Sequence, residues 1–398
     1  MMKQKFKVPN FSVSRDHYQK RRKSLSMALA MAITALALIA APISVANAQT
    51  VGDSKKTLRI GYYPNITHAQ AVIGLNNGDF QKSLGDNVTV EKYLFNAGPE
   101  AVESLLADRV DVSYIGPNPA TNAYLLTNGE AVRIISGASS GGASFVVRNN
   151  SGIETVDDLG GKKFATPQLG NTQDVALRSY LVDNGYNTVD NGGNVTVVAL
   201  EPGDIVSQFK NKEIDGAWVP EPVTTILTEQ ANGKVFVDER DLWPDGKFVT
   251  TNIIVRTDYL SENPDVIKKL LEAHVDETLW INNNTAAAAE EFNTQLDKIT
   301  GQQIDPNILN KAYSKVDLTY DPLKLTLYKS ANDAYDLGFI AEGEGRPNLS
   351  GIYNTTILSK VLDERGLSPI DGEIGGKAPS SSVTNGTSSG KAIADIVA

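Results

Sequence analysis

The chain has 398 residues, 41% of them hydrophobic, which is enough for one to three domains with ordinary cores. Its formal net charge is −10, and because the first 48 residues carry +7 the remainder stands near −17, which argues against nucleic acid as a partner. Cysteine is absent, which excludes disulfides, thiolate metal sites, a cysteine nucleophile and a lipidated N-terminal cysteine.

Taken in chain order, Lys20-Arg21-Arg22-Lys23 precedes a long apolar run that ends in Ala46-Asn47-Ala48. A basic region, an apolar run and a small-x-small site spell an export signal, residues 1–48, cleaved after Ala48 or retained as an anchor. Either way the body is expected to be extracytoplasmic, in a periplasm or at a cell surface. From residue 56 the pattern alternates. LRIGYY (58–63), VTVEKYLF (88–95), VDVSYIG (110–116) and VRIISG (132–137) read as strands, with helical spacing between them over 69–80, 99–109 and 119–129. An extended run, ASFVVRNNSGI (143–153), then interrupts the alternation. It resumes with KKFATP, a helix over 171–185, NVTVVAL, a helix over 203–212, IDGAWV and a helix from Pro222. A second extended run, TTNIIVRTDYL (250–260), is followed by mostly helical sequence to about 364, and 365–398 reads as a flexible Gly/Ser/Thr-rich tail.

Alternating strands and helices predict an α/β protein with parallel sheets covered on both faces. Two stretches repeat one pattern, VDVSYIGPNPA (110–120) and IDGAWVPEP (214–222), and the extended runs FVVR and IIVR repeat another. The repeats predict two similar Rossmann-like lobes joined by two crossover strands. Lobe one is then 56–142 plus 256–364, and lobe two is 143–255.

Four blocks, RIGYYPNITHAQAVIGL, FNAGPEAVESLLADRVDVSYIGPNPA, VDDLGGKKFATPQLGNTQDVALRSYL and DGAWVPEPV, resemble the solute-binding proteins of sulfonate, taurine and nitrate ABC importers. The resemblance spans roughly 56–340. It implies the type II periplasmic-binding-protein fold, a small ligand in the interlobe cleft, and delivery to an ABC permease with its ATPase. The pyrimidine synthases of thiamine synthesis share this fold, so fold alone does not fix function.

Ligands of open α/β sheets bind beyond the carboxyl ends of the strands. The residues following those ends include Asn65, Thr67 and His68, then Asn118, then Ser139, Ser140, Gly141 and Gly142. In lobe two they include Thr166, Asn171, Thr172, Gln173, Trp218 and Glu221. These segments hold almost no Lys or Arg and are rich in Asn, Gln, Ser, Thr and Gly at helix starts. Free N–H groups and the positive end of the helix dipole can hold an anion without a formal cation. Asn171-Thr172-Gln173 is the expected principal jaw, and Ser139 to Gly142 its opposite. The same residue types also serve as ordinary N-caps. Trp218 offers a flat wall to an alkyl or aryl group, or core packing. Glu221 offers a partner to an amine, or a first-turn acid complementing its helix, and His68 a donor to the anion, or a satisfied structural histidine.

The expected function is capture of a small anion by hinge closure, an alkanesulfonate first, with taurine, nitrate, phosphonate and a thiamine-pyrimidine precursor behind. The protein is expected to be a monomer without cofactor or metal and not an enzyme. A surface sensor of the same fold stays open. A secreted hydrolase is remote: Gly137-Ala138-Ser139-Ser140-Gly141 fits G-x-S-x-G, but the motif needs a following helix and GGASFVVR reads as a strand.

Overall fold

A computed structural model describes residues 55–340 and 346–370; the expected signal and almost all of the expected tail lie outside the described residues. The first run of elements is β1 (Lys56–Tyr62), a 3-10 turn (Ile66–His68), α1 (Ala69–Asn77), α2 (Asp79–Leu84), β2 (Val88–Leu94), α3 (Gly98–Leu106), β3 (Val112–Ile115), α4 (Pro117–Leu126) and β4 (Val132–Gly141). The second is β5 (Ala143–Arg148), β6 (Lys163–Thr166), α5 (Thr172–Asp183), β7 (Thr196–Ala199), α6 (Pro202–Lys210), β8 (Gly216–Pro220), α7 (Val223–Gln230) and β9 (Gly233–Asp238). The third is β10 (Val249–Arg256), α8 (Thr257–Glu262), α9 (Pro264–Asn283), α10 (Thr285–Thr300), α11 (Pro306–Tyr313), β11 (Val316–Leu318), α12 (Lys324–Asp336) and α13 (Thr356–Glu364).

The strands form two sheets, β11-β4-β10-β3-β1-β2 and β7-β6-β8-β5-β9. Leaving out the edge strand β11, one order maps onto the other. β3 lies between parallel β1 and antiparallel β10, as β8 lies between parallel β6 and antiparallel β5. The repeated stretches are therefore topologically equivalent strands. Their shared Asp has a shared task at the end of the sheet away from the strand C-termini. The Asp111 carboxylate accepts from the Arg59 backbone N–H at 2.9 Å, and that of Asp215 from the Lys163 N–H at 2.9 Å. Each also faces the Arg that ends the antiparallel strand, Arg256 at 3.7 Å and Arg148 at 2.8 Å. The Val-Arg endings of FVVR and IIVR thus close the same ion pair in both lobes.

The chain passes from the first sheet to the second at Gly141-Gly142, both at φ +72°. A Cβ at Gly142 would stand 2.4 Å from Val316 Cγ2, so glycine is required there by backbone and by space. The return comes earlier than the expected position 255. It occupies the two short 3-10 turns between Asp238 and Val249, and β10 lies wholly within the six-stranded sheet. Seven of its eight residues are buried, because a strand with neighbours on both sides and helices over both faces has no wet side. Sequence reading also missed β9 and β11, short edge strands that carry little pattern. The main core of the first lobe packs β1 and β3 against α1, α9 and α10. The second lobe is built around Phe145, Phe164 and Trp218.

Candidate functional site

The carboxyl ends of the parallel strands of both sheets face one small cavity between the lobes. Helix starts converge on it. Its lining includes Asn65, which caps the 3-10 turn, Gly98 at the start of α3, Gly116 before α4, Asn171 before α5 and Pro202 opening α6. The Asn65 Oδ1 accepts from the Thr67 N–H at 3.1 Å, and the Asn171 Oδ1 from the Asp174 N–H at 2.8 Å. The two caps follow β1 and β6, the topologically equivalent strands, so the cavity is flanked by matching caps from two similar lobes.

Among the described residues no Lys, Arg, Asp or Glu lines the cavity. Burial alone drives the His68 imidazole down to about 3, so it is neutral at physiological pH and carries one N–H donor and one acceptor nitrogen. Its ring lies 4.4 Å from the Tyr63 ring. Four lining side chains that are buried keep a polar atom without a hydrogen-bond partner among the described residues: Oη of Tyr63, Nδ1 of His68, Oγ1 of Thr172 and Oγ1 of Thr251. Buried polar atoms in folded proteins are nearly all hydrogen-bonded, so four exceptions on one cavity mark a place where a ligand or water supplies the partner. Oriented N–H groups, helix-dipole ends and neutral hydroxyls together favour a small oxyanion over a cation.

Six of the expected residues meet at the cavity: Asn65, Thr67, His68, Asn171, Thr172 and Gln173. The rest do not line it. The opposite jaw is Asn65 to His68; Ser139 to Gly142 instead complete β4 and the crossing, because β4 runs on as a strand past the expected end. Ser140 Oγ accepts from the Phe248 N–H at 3.3 Å. Ser139 is the register partner of Thr251, and its Oγ is buried without a protein partner among the described residues. Asn118 turns away, its Nδ2 donating to the Ser330 carbonyl at 2.9 Å and its Oδ1 accepting from the Ser330 hydroxyl at 2.6 Å. Thr166 donates to Asp174 at 2.9 Å. Trp218 is wholly buried in the second lobe, stacked 5.6 Å from Phe145, and its Nε1 donates to Glu239 at 2.7 Å. Glu221 pairs with Lys315 at 3.2 Å and accepts from the Thr225 N–H at 3.0 Å, so its charge is committed inside the protein.

Sequence reasoning did not select Thr250 and Thr251, which line the cavity from β10. The available signal was a polar start, Thr250-Thr251-Asn252, on an otherwise apolar strand. The second lobe holds its jaw with its own side chains. Asp174 accepts from Thr166, from the Gly170 N–H at 2.9 Å and from Arg178 at 3.0 Å, with both charged side chains buried. The lobes meet across the cavity: a Cβ at Gly116 would lie 2.3 Å from Thr172 Oγ1. At the cavity mouth Asn96 donates to Glu201 at 3.2 Å.

Two lobes of matching α/β topology, with a cleft at their strand ends, define a two-lobed periplasmic-binding-protein fold of type II. The chain belongs to the NMT1-like family, whose model matches residues 52–294. It is 25% identical over 321 residues to a putative aliphatic sulfonates-binding protein of Bacillus subtilis, covering 79% of this chain and 91% of that one. Its fold matches the alkanesulfonate-binding protein SsuA from Xanthomonas axonopodis pv. citri bound to MOPS, with a TM-score of 0.60, 16% identity, and 72% of this chain and 94% of that one covered. It also matches the periplasmic nitrate-binding protein NrtA from Synechocystis, with a TM-score of 0.62, 15% identity, and 78% and 89% covered. Among the described residues no helix is long and apolar enough to cross a membrane.

Proposed function

We propose that the protein is the extracytoplasmic solute-binding component of an ABC importer, handing its ligand to a permease with its ATPase, and that the ligand is a small oxyanion, an alkanesulfonate first. The observation that carries this reading is the set of four unpartnered buried atoms, on Tyr63, His68, Thr172 and Thr251, in a cavity whose described lining holds no formal charge. Three of them come from the first lobe and one from the second. A ligand that bonds groups of both lobes at once favours the closed arrangement over an open one, which is the condition for a ligand to drive closure. A tetrahedral sulfonate head presents three acceptor oxygens to such donors. Specificity follows from exclusion of water, since a ligand that leaves these groups unpaired loses about 1–3 kcal/mol for each.

Titration calorimetry of the mature chain against ethanesulfonate, taurine, nitrate, phosphonate and a hydroxymethylpyrimidine tests the reading. Ethanesulfonate is expected to bind, and the double variant Thr172→Ala, Gln173→Ala to bind it about tenfold or more weakly. Absence of binding by every solute in the panel would overturn the assignment, as would binding untouched by the double substitution.

A further inference from the structure

A surface groove that shares no residue with the cleft runs between α2 and α9 of the first lobe. Its α9 wall is Ala273, Asp276, Glu277 and Trp280, spaced i, i+3, i+4 and i+7, which places all four on one stripe of the helix. This stripe inverts the usual division between core and surface. Trp280, a large apolar side chain, is 39% exposed, while Glu277, a carboxylate, is 6% exposed. Asp79 and Lys82 line the groove from α2, and both are exposed.

The Glu277 Oε1 is buried and has no hydrogen-bond partner among the described residues. A carboxylate taken out of water without a partner is costly, and its neighbours add to the cost. Burial, then the negative charges of Asp79 on α2 and Glu291 on α10, push its carboxyl up to about 8. The buried hydroxyls of Tyr114 on β3 and Tyr313 on α11 also lie within its field. The basic groups around it are used elsewhere. Arg365 grips Asp276 through both oxygens, at 2.7 and 2.8 Å, and Lys269 donates to the Leu84 carbonyl at 3.1 Å. Lys82 makes no ion pair among the described residues and stands exposed on the α2 side.

We infer that the groove binds a small primary alkylammonium ion, its N–H group donating to the Glu277 carboxylate and its carbon chain lying against the Trp280 ring. The unpartnered oxygen calls for a donor, and the uncompensated negative charge calls for a cation. An exposed indole attracts a cation through its ring face and covers the methylenes beside it. Among the described residues no three carboxylates or histidines gather to hold a metal ion, so the cation is organic. Ala273, one turn before Glu277, is the smallest side chain of the stripe and leaves a slim head room to reach the carboxylate. The site neither uses the cleft nor rests on the oxyanion reading: the cleft offers neutral groups to an anion, and the groove offers a carboxylate and a ring to a cation.

Titration calorimetry of the full mature chain against butylammonium at pH 6 and pH 8.5 tests the inference, with tetramethylammonium as a cation that has no N–H to donate. Butylammonium keeps its charge at both pH values, whereas Glu277 releases its proton only near the higher one, so binding is expected to be about tenfold or more tighter at pH 8.5. Tetramethylammonium is expected not to bind. Glu277→Gln keeps the side chain's shape without its charge. It should weaken butylammonium by about tenfold or more at pH 8.5 and remove the pH dependence. Trp280→Ala, at an exposed position, should weaken it about two- to fivefold. Circular dichroism checks that each variant folds, and ethanesulfonate affinity in the cleft should be unchanged in both. Absence of butylammonium binding at pH 8.5 overturns the inference, and so does equal binding of tetramethylammonium. It is also overturned by an affinity that Glu277→Gln leaves intact or, should that variant not fold, that Trp280→Ala leaves intact.

Discussion

The two lobes repeat one strand order and one Asp–Arg pair, yet they meet the cleft differently. In the first lobe the cleft residues are side chains of the fold's own interior. His68 is buried beside Tyr63, and Thr251 sits in a central strand, each with an atom left over. In the second lobe the equivalent loop is tied down by a local network around Asp174, and Thr172 alone among its cavity-lining side chains has a wholly buried oxygen without a protein partner. One lobe therefore holds its cavity-lining groups as part of its core, and the other carries a self-supporting helix start opposite them. A repeated fold supplies the frame twice, and the loops after equivalent strands divide the work.

The largest expected effect breaks the second half of this comparison. Asp174→Ala removes the acceptor for three groups and strands Arg178, which is 4% exposed, as a buried uncompensated charge. Loss of one partner of a buried pair costs about 3–5 kcal/mol. Chemical denaturation should show that loss, with ligand binding abolished. A cost below about 1 kcal/mol would mean the loop does not depend on this carboxylate.

Next in size is a wedge between the lobes. Gly116→Ala has an ordinary backbone angle, φ −67°, so the new methyl adds no backbone strain, but it would press on Thr172 Oγ1. Binding is expected to weaken by about a hundredfold at nearly unchanged melting temperature, with a larger radius of gyration in X-ray scattering. Unchanged affinity would show that the methyl is absorbed by a side-chain rotation and that the lobes need not meet so closely.

The smallest effect concerns pH, and it is mostly a first-lobe property. Burial drives His68 to about 3 and His274 to about 4, the latter donating to or accepting from Tyr114 at 3.0 Å. Their folded values lie below the free value of 6.5, so the unfolded chain takes up protons first and stability is lost as pH falls below 6.5. Glu277 moves the other way, to about 8, raised by burial and then by Asp79 and Glu291. In the second lobe burial raises Glu239 to about 7. For these two, stability is complete below about 4.5 and is lost as pH rises through 7 to 8. Glu277→Gln should therefore melt about 2–4 °C higher than the parent at pH 9 and equally at pH 5. Equal melting at both pH values would show that Glu277 ionises as freely in the folded chain as in the unfolded one.

How much was legible beforehand follows from where each signal resides. The two-lobed α/β organisation was readable because strand and helix periods are local, and because the Asp and Arg repeats mark equivalent strands. The jaw Asn171-Thr172-Gln173 and the group Asn65, Thr67 and His68 were readable because cap residues after a strand belong at a strand's carboxyl end. Trp218 and Glu221 were not separable from true cleft residues by type. Their partners, Phe145, Glu239 and Lys315, lie 73, 21 and 94 positions away in the chain. The second crossing was placed too late because a buried antiparallel strand and a crossover strand carry the same apolar run.

The sequence by itself determined the alternation of elements, the doubling of the lobe, the acidic cysteine-free surface and the helix caps that offer uncharged donors, since each depends on residues close along the chain. Only the tertiary structure decided which donors stay unpartnered and that Thr251 joins His68 and Thr172. Those outcomes depend on which distant groups use up one another's hydrogen bonds and contact surface, and that is settled only when the lobes pack.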